Sequence, residues 1–116
     1  MKLNYFDIHG RAEPIRMLFV HHKIAFEDKR LPAEEFGKLK NDGHLEFGQL
    51  PMLELPTGEK ITQSQSILRY VGQQNGYYPE DPMDAWKVDS CIDSIKDVVE
   101  SFLKVRAEAD PEEKKK

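Results

Sequence analysis

Between Gly48 and Ser66 the residue types offer two kinds of recognition side by side. Leu50-Pro51 opens the short apolar run Met52, Leu53, Leu55. A proline at the mouth of a strand cannot donate to a ladder, so it belongs at a strand start or an edge. A cis Leu50-Pro51 bond would turn the Leu50 backbone outward, with N–H and C=O free to pair with an extended peptide. Further on, Gln63-Ser64 precedes the amphipathic run Ile67, Leu68, Val71. Ser64 reads as an N-cap, and a helix N-terminus carrying Ser and Gln suits an anion. A strand edge for a peptide backbone beside a cradle for a carboxylate points to a small anionic peptide as ligand.

Other chemistries find little support. His21-His22 on a helix stand about 100° apart, so the two rings cannot converge on one metal. Cys91 is the single cysteine, which excludes a disulfide framework, a thiolate cage and a CxxC redox pair. Its place on a long helix suits a small apolar side chain. The net charge of −4 argues against nucleic acid, whose phosphates need a basic face. Lys2, Asp7, Arg11, Glu13 and Arg16 interrupt the first twenty residues, so no apolar stretch there suits export or membrane spanning, and a cytosolic location is expected.

The elements that must hold these residues can be read from periodicity. Lys2 to Ile8 is a β-rich run ended by Gly10, and Ile15, Leu18, Phe19 and His22 recur at helical spacing behind Pro14, which predicts a helix over 12–23. A strand over 24–31 and a short helix over 34–40 follow, the latter stopped by Asn41-Asp42-Gly43. Pro56-Thr57-Gly58-Glu59 is a turn by composition, returning through Lys60-Ile61-Thr62. The helix after Ser64 closes at Asn75-Gly76. The order βαβα then ββα is the thioredoxin-like arrangement, an α/β fold, placed over 1–76. Two prolines within 77–82 make that stretch a linker. A long helix is expected to begin near Met83 or Asp84, with Val88, Ile92, Ile95, Val99, Phe102 and Val105 as its apolar stripe. Asp110-Pro111-Glu112-Glu113 suits the start of another helix, so 83–116 reads as the beginning of an all-α domain that is cut off.

The strand, proline, hairpin and Gln-Ser-x-x-Ile helix together resemble the glutathione-binding half of glutathione transferases. Tyr5, followed by Gly10-Arg11-Ala12-Glu13-x-x-Arg16, is similar to the sigma class, which includes the haematopoietic prostaglandin D synthases and the S-crystallins. By that resemblance Tyr5 donates its O–H to the glutathione sulfur, with Arg11 supplying a positive field. A hydrogen bond to a charged group contributes about 1.5–3 kcal/mol, roughly 1–2 pKa units on a thiol that starts near 8.5. Nucleophilicity falls with pKa, so the rate gain is smaller than the gain in thiolate. Taken alone, Tyr5 would be an ordinary packed strand tyrosine and Arg11 a solvated loop cation.

The resemblance further implies that Gln63 and Ser64 hold the γ-glutamyl carboxylate and that the Leu50 backbone pairs with the cysteinyl unit, for which a cis Leu50-Pro51 bond is expected. Lys40 and Gln49, beside Gly48, would take the glycyl carboxylate, with Phe6 and Phe36 as neighbours. Phe36 stands where the sigma class often has Trp, so it supplies a wall without a donor. Asp97, on an acidic row with Asp89, Asp93 and Glu100, would reach the glutathione of a two-fold partner, or else simply belong to a solvated face. Lys96 and Lys104 depart from the prostaglandin-synthesising members and count against that activity and its divalent cation. The implied function is a homodimeric, cytosolic glutathione transferase that conjugates glutathione to small electrophiles in detoxification, with glutathione as co-substrate and no metal. The alternative is a non-catalytic, crystallin-like structural protein. The exposed stripe implies that the chain needs further helices, a partner or a larger assembly.

Overall fold

The computed structural model describes residues 1–109, with side chains as far as Val105. The helix start expected at Asp110-Pro111 lies outside them. The chain falls into two compact units, Met1–Tyr78 and a second that begins at Pro79.

In the first unit β1 (Lys2–Phe6) is one of two central strands, and its residues Leu3, Asn4 and Tyr5 are all buried. It pairs in parallel with β2 (Glu27–Leu31), with Tyr5 opposite Arg30, and antiparallel with β3 (Met52–Glu54), with Leu3 opposite Leu53. β4 (Lys60–Thr62) completes the order β2-β1-β3-β4. This is the expected thioredoxin-like sheet. A parallel pair needs a crossover, supplied here by a 3-10 turn at Gly10–Ala12 and α1 (Glu13–His21). The buried Asn4 is partnered: its amide donates to the Met52 carbonyl at 3.3 Å and to Glu54 Oε2 at 3.3 Å.

α1 buries Ile15 and Phe19, and Phe19 packs against Phe26 with ring centroids 4.7 Å apart. His22, expected on the apolar stripe, is instead exposed, and its Nδ1 lies 2.9 Å from the Tyr77 hydroxyl. Strand β2 starts three residues later than expected because the Ile24 N–H closes the end of α1 on the Phe19 carbonyl at 2.8 Å and cannot join a ladder. α2 (Ala33–Asn41) packs beside β2. α3 (Ser64–Gln74) buries Ile67 and Val71 and packs on α1. Each such side chain contributes about 1.5–3 kcal/mol on burial.

Ser64 is not the N-cap. Gln63 takes that position with φ +74°, and Ser64 is the first helical residue. The left-handed turn at Gln63 ends β4 and starts the helix within one residue, which leaves no room for an extended Ser64.

In the second unit α4 (Pro82–Ala109) starts slightly earlier than expected. Pro82 is its first residue, and Asp81 Oδ2 accepts the Asp84 N–H at 3.0 Å, so the last linker proline is a first-turn proline behind a capping Asp. On the stripe, Val88, Ile92 and Val99 are half-buried, while Ile95, Phe102 and Val105 are exposed. No helix among the described residues is long and apolar enough to cross a membrane.

Candidate functional site

Tyr5 sits near the end of β1 and is buried. Its hydroxyl oxygen accepts the backbone N–H of Arg11 at 3.1 Å. The loop that delivers this N–H passes very close. Gly10 has φ +45°, and a Cβ there would stand 2.5 Å from the Tyr5 oxygen. Glycine is needed both for the left-handed backbone and for the approach. The phenol has used one lone pair and keeps its proton available to donate.

Arg16 lies beneath this loop, 5% exposed, with its guanidinium carbon 5.7 Å from the centroid of the Tyr5 ring. Its Nε donates to Asp28 Oδ1 at 3.0 Å, and its Nη1 to the Ile8 carbonyl at 2.8 Å and to Glu13 Oε2 at 3.1 Å. Glu13 also meets His9 Nδ1 at 3.1 Å. The His9 hydrogen bond, then Arg16, holds the Glu13 carboxyl below its ordinary 4.5, against an opposing effect of partial burial. Beyond Asp28 the ion pairs continue through Arg30 to Asp7, and that hydrogen bond to Asp7 is the main reason the Arg30 guanidinium is held more firmly protonated.

The residues expected to cradle a peptide lie in two groups. The Gln63 side-chain amide donates to Gln49 Oε1 at 3.4 Å, which ties the β4–α3 junction to the segment before Pro51. Lys40 lies along Gly48: a Cβ at that glycine, whose φ is +68°, would be 3.2 Å from Lys40 Cε. The Leu50-Pro51 bond is cis, as expected, and both residues are buried. The amides of Ser64, Gln65 and Ser66 form the first turn of α3 with no side-chain cap, so the anion-site argument passes from a capping hydroxyl to these N–H groups. The Phe6 ring meets Tyr5 at 5.5 Å and Phe36 at 5.2 Å, both edge-on. Asp97 is exposed on α4, in the second unit.

Two features do not follow from residue type. The sequence points to the Arg11 side chain, whereas the Arg11 backbone N–H reaches Tyr5. Arg16 stands in the sequence only as part of a motif. Its position between Ile15 and Phe19, on the buried side of α1 and three residues after Glu13, is the signal that marks a partnered buried cation. Among the described residues no three His, Cys, Asp or Glu gather as metal ligands.

Residues 1–73 match the family model for the glutathione S-transferase N-terminal domain. Glutathione S-transferase 1 of Ascaris suum is 45% identical over 96 residues, 83% of this chain and 45% of its own length. S-crystallin SL11 of Nototodarus sloanii is 35% identical over 97% of this chain and 54% of its own. The solved monomeric glutathione S-transferase of the hookworm Necator americanus superposes with a TM-score of 0.80 at 40% identity, over 95% of this chain and 54% of that one. The structure of prostaglandin synthase D of Nilaparvata lugens gives 0.79 at 33% identity, over 98% and 56%. The chain thus spans about half the length of the curated relatives it matches.

Proposed function

The chain belongs to the glutathione S-transferase family, and from that premise we propose that it binds glutathione and lowers the pKa of its thiol through Tyr5, for attack on small electrophiles. The observation that carries this reading is the Tyr5 oxygen held by the Arg11 N–H. A phenol that accepts one hydrogen bond becomes a stronger donor to a sulfur placed against it. The first turn of α3, with Ser64 and Gln63, takes the γ-glutamyl carboxylate. The Leu50 backbone takes the cysteinyl unit, and Lys40 with Gln49 takes the glycyl carboxylate. Phe6 and Phe36 wall the site.

The reading is sigma-like because of Tyr5, the Gly10 to Arg16 motif, and the likeness to an S-crystallin and to a prostaglandin synthase. Lys96 and Lys104 weigh against prostaglandin isomerisation. The protein works in the cytosol as a homodimer, with Asp97 reaching the partner's glutathione. The S-crystallin likeness favours a second reading, a structural protein that binds glutathione without turning over.

Calorimetry with glutathione and its S-methyl form tests the binding. Both should bind, and Ser64→Ala should weaken both by about 1 kcal/mol or more, roughly five-fold. Unchanged affinity in that variant would refute a part for the Ser64 hydroxyl in the carboxylate cradle. Binding without conjugation of any electrophile would favour the structural reading.

A further inference from the structure

We propose that Arg16 is a positioning residue for thiolate formation: it fixes the loop that puts the Arg11 N–H on the Tyr5 oxygen. The inference rests on the glutathione reading for its chemistry, though not for its geometry.

The loop from Phe6 to Arg11 is tied at its sides by Asp7 to Arg30 at 2.9 Å and by His9 to Glu13, through its ring at 3.1 Å and through its carbonyl, which accepts the Glu13 N–H at 3.0 Å. Ile8 and His9 are exposed, Gly10 is left-handed, and no strand pairing extends beyond Phe6. Arg16 gathers the loop's carbonyls from beneath. Its Nη1 donates to the Ile8 oxygen at 2.8 Å and the His9 oxygen at 3.4 Å, and its Nη2 to the Phe6 oxygen at 3.4 Å. Its Nε and Nη1 are anchored in turn by Asp28 at 3.0 Å and Glu13 at 3.1 Å. One planar fork therefore joins β2, α1 and the loop, a geometry a lysine ammonium cannot reproduce. The loop's placement decides whether the Arg11 N–H, two residues beyond the held His9 carbonyl, reaches Tyr5 at 3.1 Å. Because the side chain is almost fully buried, its five donors must find acceptors, and these carbonyls are the acceptors at hand.

Arg16→Lys keeps the charge and loses the fork. Two measurements on the whole chain decide the matter, once circular dichroism shows the variant folded. Without ligand, the Arg11 amide should lose hydrogen-exchange protection by roughly ten-fold or more relative to the β1 amides. With bound glutathione, the thiol pKa should rise by roughly 0.5–1 unit and kcat should fall, while affinity for S-methylglutathione holds. Asp28→Asn, which leaves Arg16 in place but weakens its anchor, should shift both readouts the same way by less, and it decides the question if Arg16→Lys does not fold. A role in stability alone would lower protection throughout and leave the thiol pKa of the folded protein unchanged, and that result overturns the proposal. If wild type binds no glutathione, the functional reading fails on its own, and the Arg11 exchange rate still supports or refutes the loop-holding role.

Discussion

The chemistry of a single hydroxyl depends on neighbours that sequence position hides. Tyr5 and Arg11 were legible as candidates only through the resemblance of the Tyr5 to Arg16 run to the sigma class, since taken alone they read as a packed tyrosine and a solvated cation. That the loop's backbone, rather than the Arg11 side chain, would meet the phenol was not legible, since side-chain type says nothing about which N–H a turn exposes. Ser64 shows the same limit. Its residue type favours a cap, yet the backbone at Gln63 moved the helix start by one residue. The Glu13 carboxylate gives a pH prediction at this scale. Its folded pKa lies below the ordinary 4.5, so its contribution to stability is present above that value and is lost as pH falls through the folded pKa. Glu13→Gln should therefore have a lower urea midpoint than wild type near neutrality, and the gap should close in acid. A gap that widens on acidification would contradict the sign.

Elements were legible where burial imposes a period and less so where they end. The apolar spacing of α1 and α3 and the turn residues of the β3–β4 hairpin carried the thioredoxin-like arrangement directly. The sequence predicts β2 three residues too long because Ile24, Ala25 and Phe26 look like strand residues, while the backbone at Ile24 is spent on capping α1. Two glycines test how element geometry serves the site. Gly10 has φ +45° and the Tyr5 ring at its back, whereas nothing lies within 4 Å of a Cβ at Gly37 in α2. Gly10→Ala should destabilise by at least about 1–2 kcal/mol, since left-handed backbone alone costs that much, and should also reduce turnover. Gly37→Ala should stabilise by about 0.5–1 kcal/mol, as alanine does inside a helix. Denaturant titrations that gave both variants the same sign would contradict this account.

At the scale of the whole molecule, α4 carries more apolar surface than water tolerates well. Ile95, Val98, Phe102 and Val105 are each more than half exposed, alongside Met83 and Trp86. Side chains of this kind gain about 1.5–3 kcal/mol each on burial, and contiguous exposed apolar surface promotes association. The sequence showed the stripe through its period, but not how far each position would be covered. Light scattering should find the chain associated rather than monomeric, and paired Val98→Lys and Phe102→Lys substitutions should shift it toward monomer. A soluble, cooperatively folding monomer of the unaltered chain would contradict this, and the monomeric hookworm relative makes the measurement informative.

The central claim is that Tyr5 makes a thiolate out of a bound thiol. Titrating the ultraviolet thiolate absorbance of protein-bound glutathione tests it most directly, in wild type and in Tyr5→Phe. The account predicts a thiol pKa near 7 in wild type, about 1–2 units below the free value near 8.5, and a return toward that value in the variant with affinity nearly intact. The same thiol pKa in both proteins would contradict it.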